Sequence, residues 1–333
     1  MKQEGIMNTR KKRLKRRAAM IFLIFIAFIY FNNSSFLTKE RGGKPLLLAH
    51  RGLSQTFYME GVTNDTCTAR RIHRPEHAYL ENTLPSMEAA FKAGADIVEL
   101  DIKPTKDGRF AVFHDWTLDC RTNGTGTTND YTMAELKTFD IGYGYTADQG
   151  KSYPFRGKGI GLMPSLDEVL AHFPNRSLLL HIKSNDPNEG IQLAKKLAAL
   201  PQKRLDQLTV YGGDEPVAAL QKKLPELRVM SKETMKHCLI PYLAGGWTGY
   251  IPKACKHTQL HIPENVAPWL WGWPDRFLNR MDRANTRMIV TGDSDGDFSS
   301  GFDAPEDIQR LPDHYTGGIW TNRFDKIAPI YGK

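Results

Sequence analysis

The sequence predicts an α/β fold of the (β/α)8 TIM barrel type, with long loop insertions at the C-terminal face and an N-terminal transmembrane or signal-anchor segment before it. Short apolar runs alternate with helical patterns between residues 41 and 333, as in a parallel sheet covered by helices. This region has no long low-complexity linker and no obvious internal repeat, so we predict one large domain. Its size fits a closed barrel better than an open sheet with a separate second domain.

Nine runs of β-branched or aliphatic residues are candidate strands, and four stretches between them carry a helical pattern. The candidate strands are Pro45–His50, Ile97–Ile102, Phe110–His114, Ser177–Ile182, Gln207–Tyr211, Leu227–Met230, Gln259–Ile262, Arg287–Thr291 and Gly318–Thr321. The candidate helices are Leu84–Ala93, Leu166–His172, Ile191–Leu200 and Glu215–Lys223.

Nine strands are one too many for the barrel. The extra strand is expected within Ile97–His114, because Lys106-Asp107-Gly108 indicates a turn and the gap is too short for a crossover helix. Which runs form the barrel proper stays open. Two long segments without periodicity, Leu53–Leu80 and Gly142–Gly161, are expected to lie over the C-terminal mouth.

The N-terminus is predicted to be a targeting segment. The formal net charge of the chain is +8, and residues 1–17 carry eight Lys or Arg against one Glu. Because the positive charge lies in one terminal run and not on a folded face, we expect no nucleic-acid partner. An uninterrupted apolar stretch of 14 residues, Ala18–Phe31, follows the basic run.

We therefore predict a basic cytoplasmic tail at residues 1–17, a signal-anchor or a cleaved signal peptide at residues 18–37, and an outward-facing domain at residues 41–333. In a bacterial cell, the anchored form would lie in the inner membrane with its domain in the periplasm. Cleavage of the signal would leave a periplasmic protein.

The four cysteines agree with an oxidising compartment. Cys67, Cys120, Cys238 and Cys255 show no C-x-x-C spacing, which argues against a zinc ribbon or a redox motif. We prefer two disulfides, Cys67 with Cys120 and Cys238 with Cys255. Four free buried thiols are the alternative.

Polar residues follow four of the apolar runs, where a barrel aims them at one shared mouth. They are His50 and Arg51, Glu99 and Asp101, His114 and Asp115, and His181 and Lys183. Because residues two apart in a strand point the same way, Glu99 and Asp101 share a face. Two carboxylates on one interior face repel each other, so we expect a divalent metal between them.

Two imidazoles, a guanidinium and a site for a hard metal together suit phosphodiester cleavage. The alternative is that each histidine caps a strand, each acid pairs with a nearby Lys or Arg, and no site exists.

Five ordered motifs between residues 49 and 124 also resemble a known family. They are Ala49-His50-Arg51-Gly52, Glu81-Asn82-Thr83, the run from Gly94 to Asp101, Thr105-Lys106-Asp107-Gly108, and Phe113-His114-Asp115 leading to Arg121-Thr122-Asn123-Gly124. Weaker matches follow at Met163-Pro164-Ser165-Leu166, Ile182-Lys183 and Trp320-Thr321-Asn322-Arg323. With them, roughly residues 45–330 resemble the glycerophosphodiester phosphodiesterases.

The resemblance implies a barrel, a divalent cation (Mg²⁺, Ca²⁺ or Mn²⁺), and hydrolysis of glycerophosphodiesters to glycerol 3-phosphate and an alcohol. Each candidate residue then has a role at the position that matches the family motif. The roles are His50 and His114 as the acid–base pair, Arg51 and Lys183 at the phosphate, Glu99 and Asp101 as metal ligands, and Glu81 as a ligand or an orienting residue.

The sequence departs from the family pattern at His181, where the family usually has a metal-binding Glu two residues before the lysine. If His181 binds the metal, its imidazole softens the site and favours Mn²⁺ or Zn²⁺ over Ca²⁺. If it does not, the metal keeps Glu99, Asp101, Glu81 and water.

Two further hypotheses stay open. One is a lysophospholipase-D-like activity on lipid phosphodiesters, which a membrane segment and the tryptophans between residues 247 and 273 would favour. The other is a catalytically silent barrel that binds phosphodiesters or a partner protein, suggested by His181.

Overall fold

Nine strands and ten α-helices occur in the residues that the computed structural model describes, which are 2–38, 41–63, 65–293 and 300–332. The strands are β1 Leu46–Ala49, β2 Ile97–Pro104, β3 Phe110–Val112, β4 Ser177–Ile182, β5 Leu208–Gly212, β6 Arg228–Met230, β7 Gln259–Pro263, β8 Arg287–Thr291 and β9 Gly318–Thr321. The helices are α1 Lys2–Asn33, α2 Leu84–Lys92, α3 Met133–Leu136, α4 Leu166–His172, α5 Pro187–Leu197, α6 Gln202–Leu205, α7 Asp214–Lys223, α8 Lys232–Gly245, α9 Asp275–Arg283 and α10 Phe324–Ile327.

Eight strands form a parallel sheet in the order β6-β5-β4-β2-β1-β9-β8-β7. The two ends of the sheet meet where Val229 of β6 forms a parallel bridge with Thr258, directly before β7. The sheet is therefore a nearly closed barrel, consistent with the predicted TIM barrel. The ninth strand, β3, pairs antiparallel with β2, which confirms that the extra strand lies between Ile97 and His114.

The alternation of side chains along β2 separates the core from the site. Val98, Leu100 and Ile102 point outward and belong to the large core beneath the helices. Ile97 points inward and packs in the barrel interior with Leu48, Leu179, Ile289 and Trp320. Glu99 and Asp101 follow on this inner face, fully buried and closer to the C-terminal mouth. The packing of Ile97, Val98, Leu100 and Ile102 thus fixes β2 so that Glu99 and Asp101 face the barrel interior.

A second apolar core lies over one side of the mouth. It includes Ala69, Ile72 and Leu80 of the long segment after β1, together with residues 111–163 around and after β3. Tyr145 and Phe155, from the predicted loop Gly142–Gly161, are buried in it. The two predicted insertions therefore pack on each other, which gives these residues an ordered structure without helices of more than four residues.

Both preferred disulfides are confirmed. Cys67 pairs with Cys120, and Cys238 pairs with Cys255. The first links the segment after β1 to the loop after β3, and the second links α8 to the turn before β7. None of these cysteines is free.

The N-terminal helix α1 ends against the side of the barrel. The side chain of Asn32 donates to the carbonyl oxygen of Trp247 at 2.8 Å, and Arg280 donates to the carbonyl oxygen of Asn32 at 2.9 Å. In the part of the chain that the structure describes, no helix has the length and apolarity to cross a membrane. The spanning anchor predicted at residues 18–37 is therefore not supported, because the apolar run of 14 residues falls short of the roughly 20 that a spanning helix needs.

Replacing Gly212 by alanine is expected to destabilise the fold. Gly212 ends β5 with φ +153°, and a Cβ atom there would lie 2.0 Å from the carbonyl oxygen of Ile182 in β4. Both the strand pairing and the backbone conformation would have to shift, so we expect a loss of about 2–4 kcal/mol in the free energy of unfolding. Urea unfolding would measure it.

The matched control is Gly245→Ala in α8, where the nearest atom to a new Cβ is 3.5 Å away, in Tyr250. This variant should be as stable as the wild type or slightly more so, because alanine favours helix. Equal stability of the two variants would contradict the assigned contact between β5 and β4.

Candidate active site

The predicted site residues lie around one cavity of about 660 Å³ at the C-terminal mouth of the barrel. Its walls include five of the eight predicted residues, His50, Arg51, His114, His181 and Lys183. Glu99 and Asp101 lie directly beneath them, inside the barrel. Four strand ends separated by up to 133 residues in sequence therefore meet, as expected from the parallel sheet.

Three side chains could hold a metal ion together. One ligand atom from each of Glu99, Asp101 and His181 lies within 4.8 Å of the other two. His181 Nδ1 lies 2.9 Å from Asp101 Oδ1 and 3.8 Å from Glu99 Oε1. Two oxygen donors and one nitrogen donor suit a divalent cation of intermediate hardness.

The two buried carboxylates of this group influence each other's protonation. Burial and the neighbouring Asp101 raise the pKa of Glu99 well above its usual value. Burial would also raise the pKa of Asp101, but Arg51, His114 and His181 hold it well below its usual value. Without a cation the site therefore favours a single negative charge, whereas a bound divalent cation would favour ionisation of both acids.

Glu81 does not belong to this group. Its Oε1 accepts from Arg51 Nη1 at 3.0 Å, and its Oε2 lies 2.9 Å from Arg121 Nη1. The carboxylate of Glu81 thus lies between two buried guanidinium groups, which makes it an orienting residue for Arg51 in this structure.

His50 is held as one tautomer by two neighbours. Its Nδ1–H donates to Asn322 Oδ1 at 2.5 Å, and its Nε2 accepts from Arg51 Nε at 3.1 Å. Asn322 is fixed in turn by the half-buried Asp303, whose carboxylate accepts from both the backbone and the side-chain nitrogen of Asn322. The Nε2 lone pair of His50 therefore points to the cationic side of the site.

His114 has the same tautomer but a different partner. Its Nδ1–H donates to Asp115 Oδ1 at 2.7 Å, and its Nε2 accepts from Lys183 Nζ at 2.6 Å. Asp115 is held by Arg121, whose Nε donates to Asp115 Oδ2 at 2.8 Å. The two imidazoles thus present equivalent nitrogen atoms, one beside Arg51 and one beside Lys183.

Two residues of the site have a strained backbone. Arg51 and Asn82 have φ values of +58° and +59°, in the left-handed region that non-glycine residues rarely adopt. Asn82 is locked there by reciprocal hydrogen bonds with Asp101, since its Nδ2 donates to Asp101 Oδ2 and its Oδ1 accepts from Asp101 N. Arg51 N donates to Glu99 Oε2 at 3.2 Å. Both strained residues therefore contact the carboxylate pair.

Three further residues line the cavity beside His181 and His50 and had no predicted role; they are Tyr211, His261 and Trp320. Tyr211 donates to Glu99 Oε1 at 2.8 Å, and its ring stacks on His181 at 4.1 Å between centroids. Its ring also lies near His261, 5.4 Å away, and Trp320, 6.5 Å away. Tyr211 and His261 lie at or near the ends of predicted strands, so the argument from strand ends could have found them.

Acid is expected to destabilise the metal-free protein between pH 6.5 and about pH 4. Burial lowers the pKa of His114 to about 4 and that of His261 to about 3. Below pH 6.5 the unfolded chain binds protons that the folded protein excludes, so folding stability falls as the pH falls. Each group contributes on the order of 3 kcal/mol by pH 4. The melting temperature of EDTA-treated protein against pH measures the loss.

The variant His261→Gln should flatten this pH dependence, while His237→Gln, a change of an exposed histidine on α8, should leave it as in the wild type. Identical slopes for all three proteins would contradict the lowered pKa of the partly buried His261.

A nearly closed barrel with two histidines, an arginine and a potential metal group at its mouth defines the class of barrel phosphodiesterases. The sequence pattern of the glycerophosphoryl diester phosphodiesterase family matches residues 50–244, more than half of the chain. The chain belongs to this family.

Curated relatives and solved structures agree with this membership. A glycerophosphodiester phosphodiesterase of Bacillus subtilis is 38% identical over 138 residues, which are 40% of this chain and 45% of the relative. A human lysophospholipase D is 31% identical over 138 residues, 40% of each chain. In both cases, the chain spans less than half the length of the relative.

The structural matches cover more of the chain. A glycerophosphodiester phosphodiesterase from Agrobacterium tumefaciens has a TM-score of 0.54 at 22% identity, covering 86% of this chain and 99% of that one. A phosphodiesterase from Oleispira antarctica, solved with its product sn-glycerol-3-phosphate, has a TM-score of 0.52 at 18% identity, covering 86% and 97%. At these identities the likeness shows the shared fold.

Proposed function

We propose that this protein hydrolyses glycerophosphodiesters to glycerol 3-phosphate and an alcohol, with a divalent cation. One observation carries the proposal. His50 and His114 present their Nε2 atoms beside Arg51 and Lys183, directly above the buried pair Glu99 and Asp101. The reactions of the family members named above support the same activity.

Arg51 and Lys183 would bind the phosphate, while His50 and His114 would transfer protons. Arg51 Nε and Lys183 Nζ donate to the two Nε2 atoms, and a phosphodiester anion would draw both donors to its own oxygens. This exchange frees both Nε2 lone pairs at the reacting phosphate. One histidine, neutral at Nε2, then removes a proton from the nucleophile, which is water or the vicinal glycerol hydroxyl. The other must first take up a proton on Nε2 from solvent, and it gives this proton to the leaving alkoxide.

The orientation of the histidines is fixed by groups that never contact the phosphate. Asn322 accepts the Nδ1–H of His50, and Asp115 accepts the Nδ1–H of His114, so neither ring can turn without losing a hydrogen bond. Glu99, Asp101 and His181 would hold the divalent cation, which supplies positive charge to the phosphate oxygens as charge develops on them.

A second candidate substrate is a lysophospholipid. Beside the strands that carry the proposed catalytic residues, the cavity wall carries Tyr211, Met230, Met235 and Trp320, which form an apolar side next to the site. An acyl-bearing substrate would bury apolar surface there, and the human relative named a lysophospholipase D supports this alternative.

The test is release of phosphate esters by the full-length protein from glycerophosphoethanolamine and from lysophosphatidylethanolamine. Each substrate is assayed with EDTA, Mg²⁺, Ca²⁺ or Mn²⁺. Metal-dependent release from the water-soluble diester supports the proposed activity. Release from the lysolipid alone selects the second candidate, and tight binding without turnover under every condition selects a silent barrel.

We also propose that residues 41–333 act outside the reducing cytosol, in the periplasm of a bacterial cell. The two disulfides support this location, because disulfides persist in oxidising compartments. Residues 1–17 and 18–37 would then serve as the basic tail and the apolar segment of an export signal, either retained at the inner membrane or cleaved. Cell fractionation, combined with maleimide labelling of thiols after denaturation, tests the proposal, and a labelled cytosolic protein would contradict it.

A further inference from the structure

We infer that Arg121 is a positioning residue that sets both halves of the site at once, and that the Cys67–Cys120 disulfide holds Arg121 in place. This inference rests on the proposed phosphodiesterase function and extends it to residues that touch neither the substrate nor the metal.

Arg121 is 2% exposed, and its guanidinium group is surrounded by partners. Its Nε donates to Asp115 Oδ2 at 2.8 Å, its Nη1 lies 2.9 Å from Glu81 Oε2, and its Nη2 donates to Thr68 Oγ1 at 2.6 Å. Nη1 also donates to the Tyr145 hydroxyl at 2.5 Å. Every nitrogen of this guanidinium group therefore has a partner with a fixed position.

Two of these partners, Asp115 and Glu81, also contact residues proposed to act on the substrate. The other oxygen of Asp115 orients His114, and the other oxygen of Glu81 accepts from Arg51. Arg121 is thus the common link between the proposed acid–base histidine and the proposed phosphate-binding arginine. Removal of its charge would leave two buried carboxylates without their shared counter-charge, so both would be expected to move toward other cations or toward water.

Each cysteine of this disulfide directly precedes a residue of the hydrogen-bonded pair Arg121 and Thr68. Cys120 directly precedes Arg121, and Cys67 directly precedes Thr68, which accepts the Nη2 hydrogen bond. The cross-link joins residues 53 apart in sequence, and so it fixes the long segment after β1 against the loop that carries Arg121. Gly144 packs on the same backbone, since a Cβ there would lie against the carbonyl oxygen of Cys120.

The second disulfide provides a matched control. Cys238 and Cys255 join α8 to the turn before β7, and neither residue lines the cavity of the site. Removing either disulfide takes a cross-link from the unfolded chain and lowers thermal stability. Only removal of Cys67–Cys120 should also disturb Arg121.

The experiment measures kcat, KM and melting temperature of the full-length, metal-loaded protein and four variants. These are Arg121→Met, Arg121→Lys, Cys67→Ser with Cys120→Ser, and Cys238→Ser with Cys255→Ser. We expect kcat to fall about 100-fold in Arg121→Met and about 10-fold in the Cys67/Cys120 variant, the range seen when orienting residues are removed. The fall should be mainly in kcat, because the orientation of His114 depends on Asp115. The rise in KM should be small, because Arg51 loses the support of a fixed Glu81 but keeps its ion pair with Asp101.

Arg121→Lys retains the charge but reaches fewer partners than the planar guanidinium group, so its kcat should lie between the wild type and Arg121→Met. The Cys238/Cys255 variant should melt at a lower temperature and keep nearly the wild-type kcat. A wild-type kcat in the Cys67/Cys120 variant, or equal losses of kcat in the two disulfide variants, would overturn the inference.

A spectroscopic measurement separates this inference from the proposed function. The Nδ1–H of His114 donates to Asp115, so its proton signal should be shifted downfield in NMR spectra of the wild type and of the Cys238/Cys255 variant. The signal should disappear or move in Arg121→Met and in the Cys67/Cys120 variant. If the wild type turns over no diester, the proposed function is wrong, but an unchanged His114 signal in the Arg121 variants would overturn the positioning role independently.

Discussion

Replacing His114 by alanine is expected to lower kcat for glycerophosphodiester hydrolysis by about 1,000-fold, within the range usual for loss of a positioned acid or base. The imidazole is 5% exposed and held between Asp115 and Lys183, so water cannot readily take its place as a proton carrier. Steady-state assays at saturating metal measure the effect, with product quantified as glycerol 3-phosphate.

His237→Ala is the matched control for this prediction, because His237 is exposed on α8 and contacts only Glu233 among the ion pairs of the described residues. Its kcat should equal that of the wild type. Full activity in His114→Ala would show that proton transfer does not pass through this histidine, and another group would then have to act as the acid or the base.

The metal preference is expected to favour Mn²⁺ over Ca²⁺ and to reverse when His181 is replaced by glutamate. His181 lies 2.9 Å from Asp101 and contributes a nitrogen donor where the family pattern has an oxygen donor. A carboxylate there would add a negative charge and a hard ligand, both of which favour Ca²⁺. We expect the ratio of the two affinities to change by about 10- to 100-fold.

Isothermal titration of EDTA-stripped protein with each metal measures these affinities without relying on turnover, and activity with each metal provides a second readout. His172→Glu, a change of a half-exposed histidine near the end of α4, serves as the control and should leave the ratio unchanged. A wild type that is far more active with Ca²⁺ than with Mn²⁺ would contradict a ligand role for His181.

The barrel and much of the site could be predicted because they depend on local patterns. Each parallel strand is a short apolar run. The polar residues at its C-terminal end lie at the mouth of the barrel, independently of the loops that connect the strands. This reasoning placed His50, His114 and the carboxylate pair at one mouth. It also placed the extra strand within Ile97–His114, because a turn signal between two close runs excludes a parallel connection, and the structure shows that this strand is β3.

The remaining contacts depend on pairs of residues far apart in sequence, for which the pattern holds no signal. Asn322 meets His50 across 272 residues, and Tyr211 meets Glu99 across 112. Glu81 matched a family motif that implied a ligand or an orienting residue, and only its position between two arginines shows which of these the fold favours. The two insertions pack on each other, and their sequences have no periodicity from which this packing could be predicted.

The left-handed backbone at Arg51 and Asn82 means that the site is assembled against a local conformational preference of the chain. A non-glycine residue in that conformation costs about 1 kcal/mol. Glycine at either position would relieve this cost, but it would also leave a buried carboxylate without one of its partners, which costs more than the backbone gains. The carboxylates that would hold the metal therefore also hold these two residues in a conformation that the backbone alone disfavours.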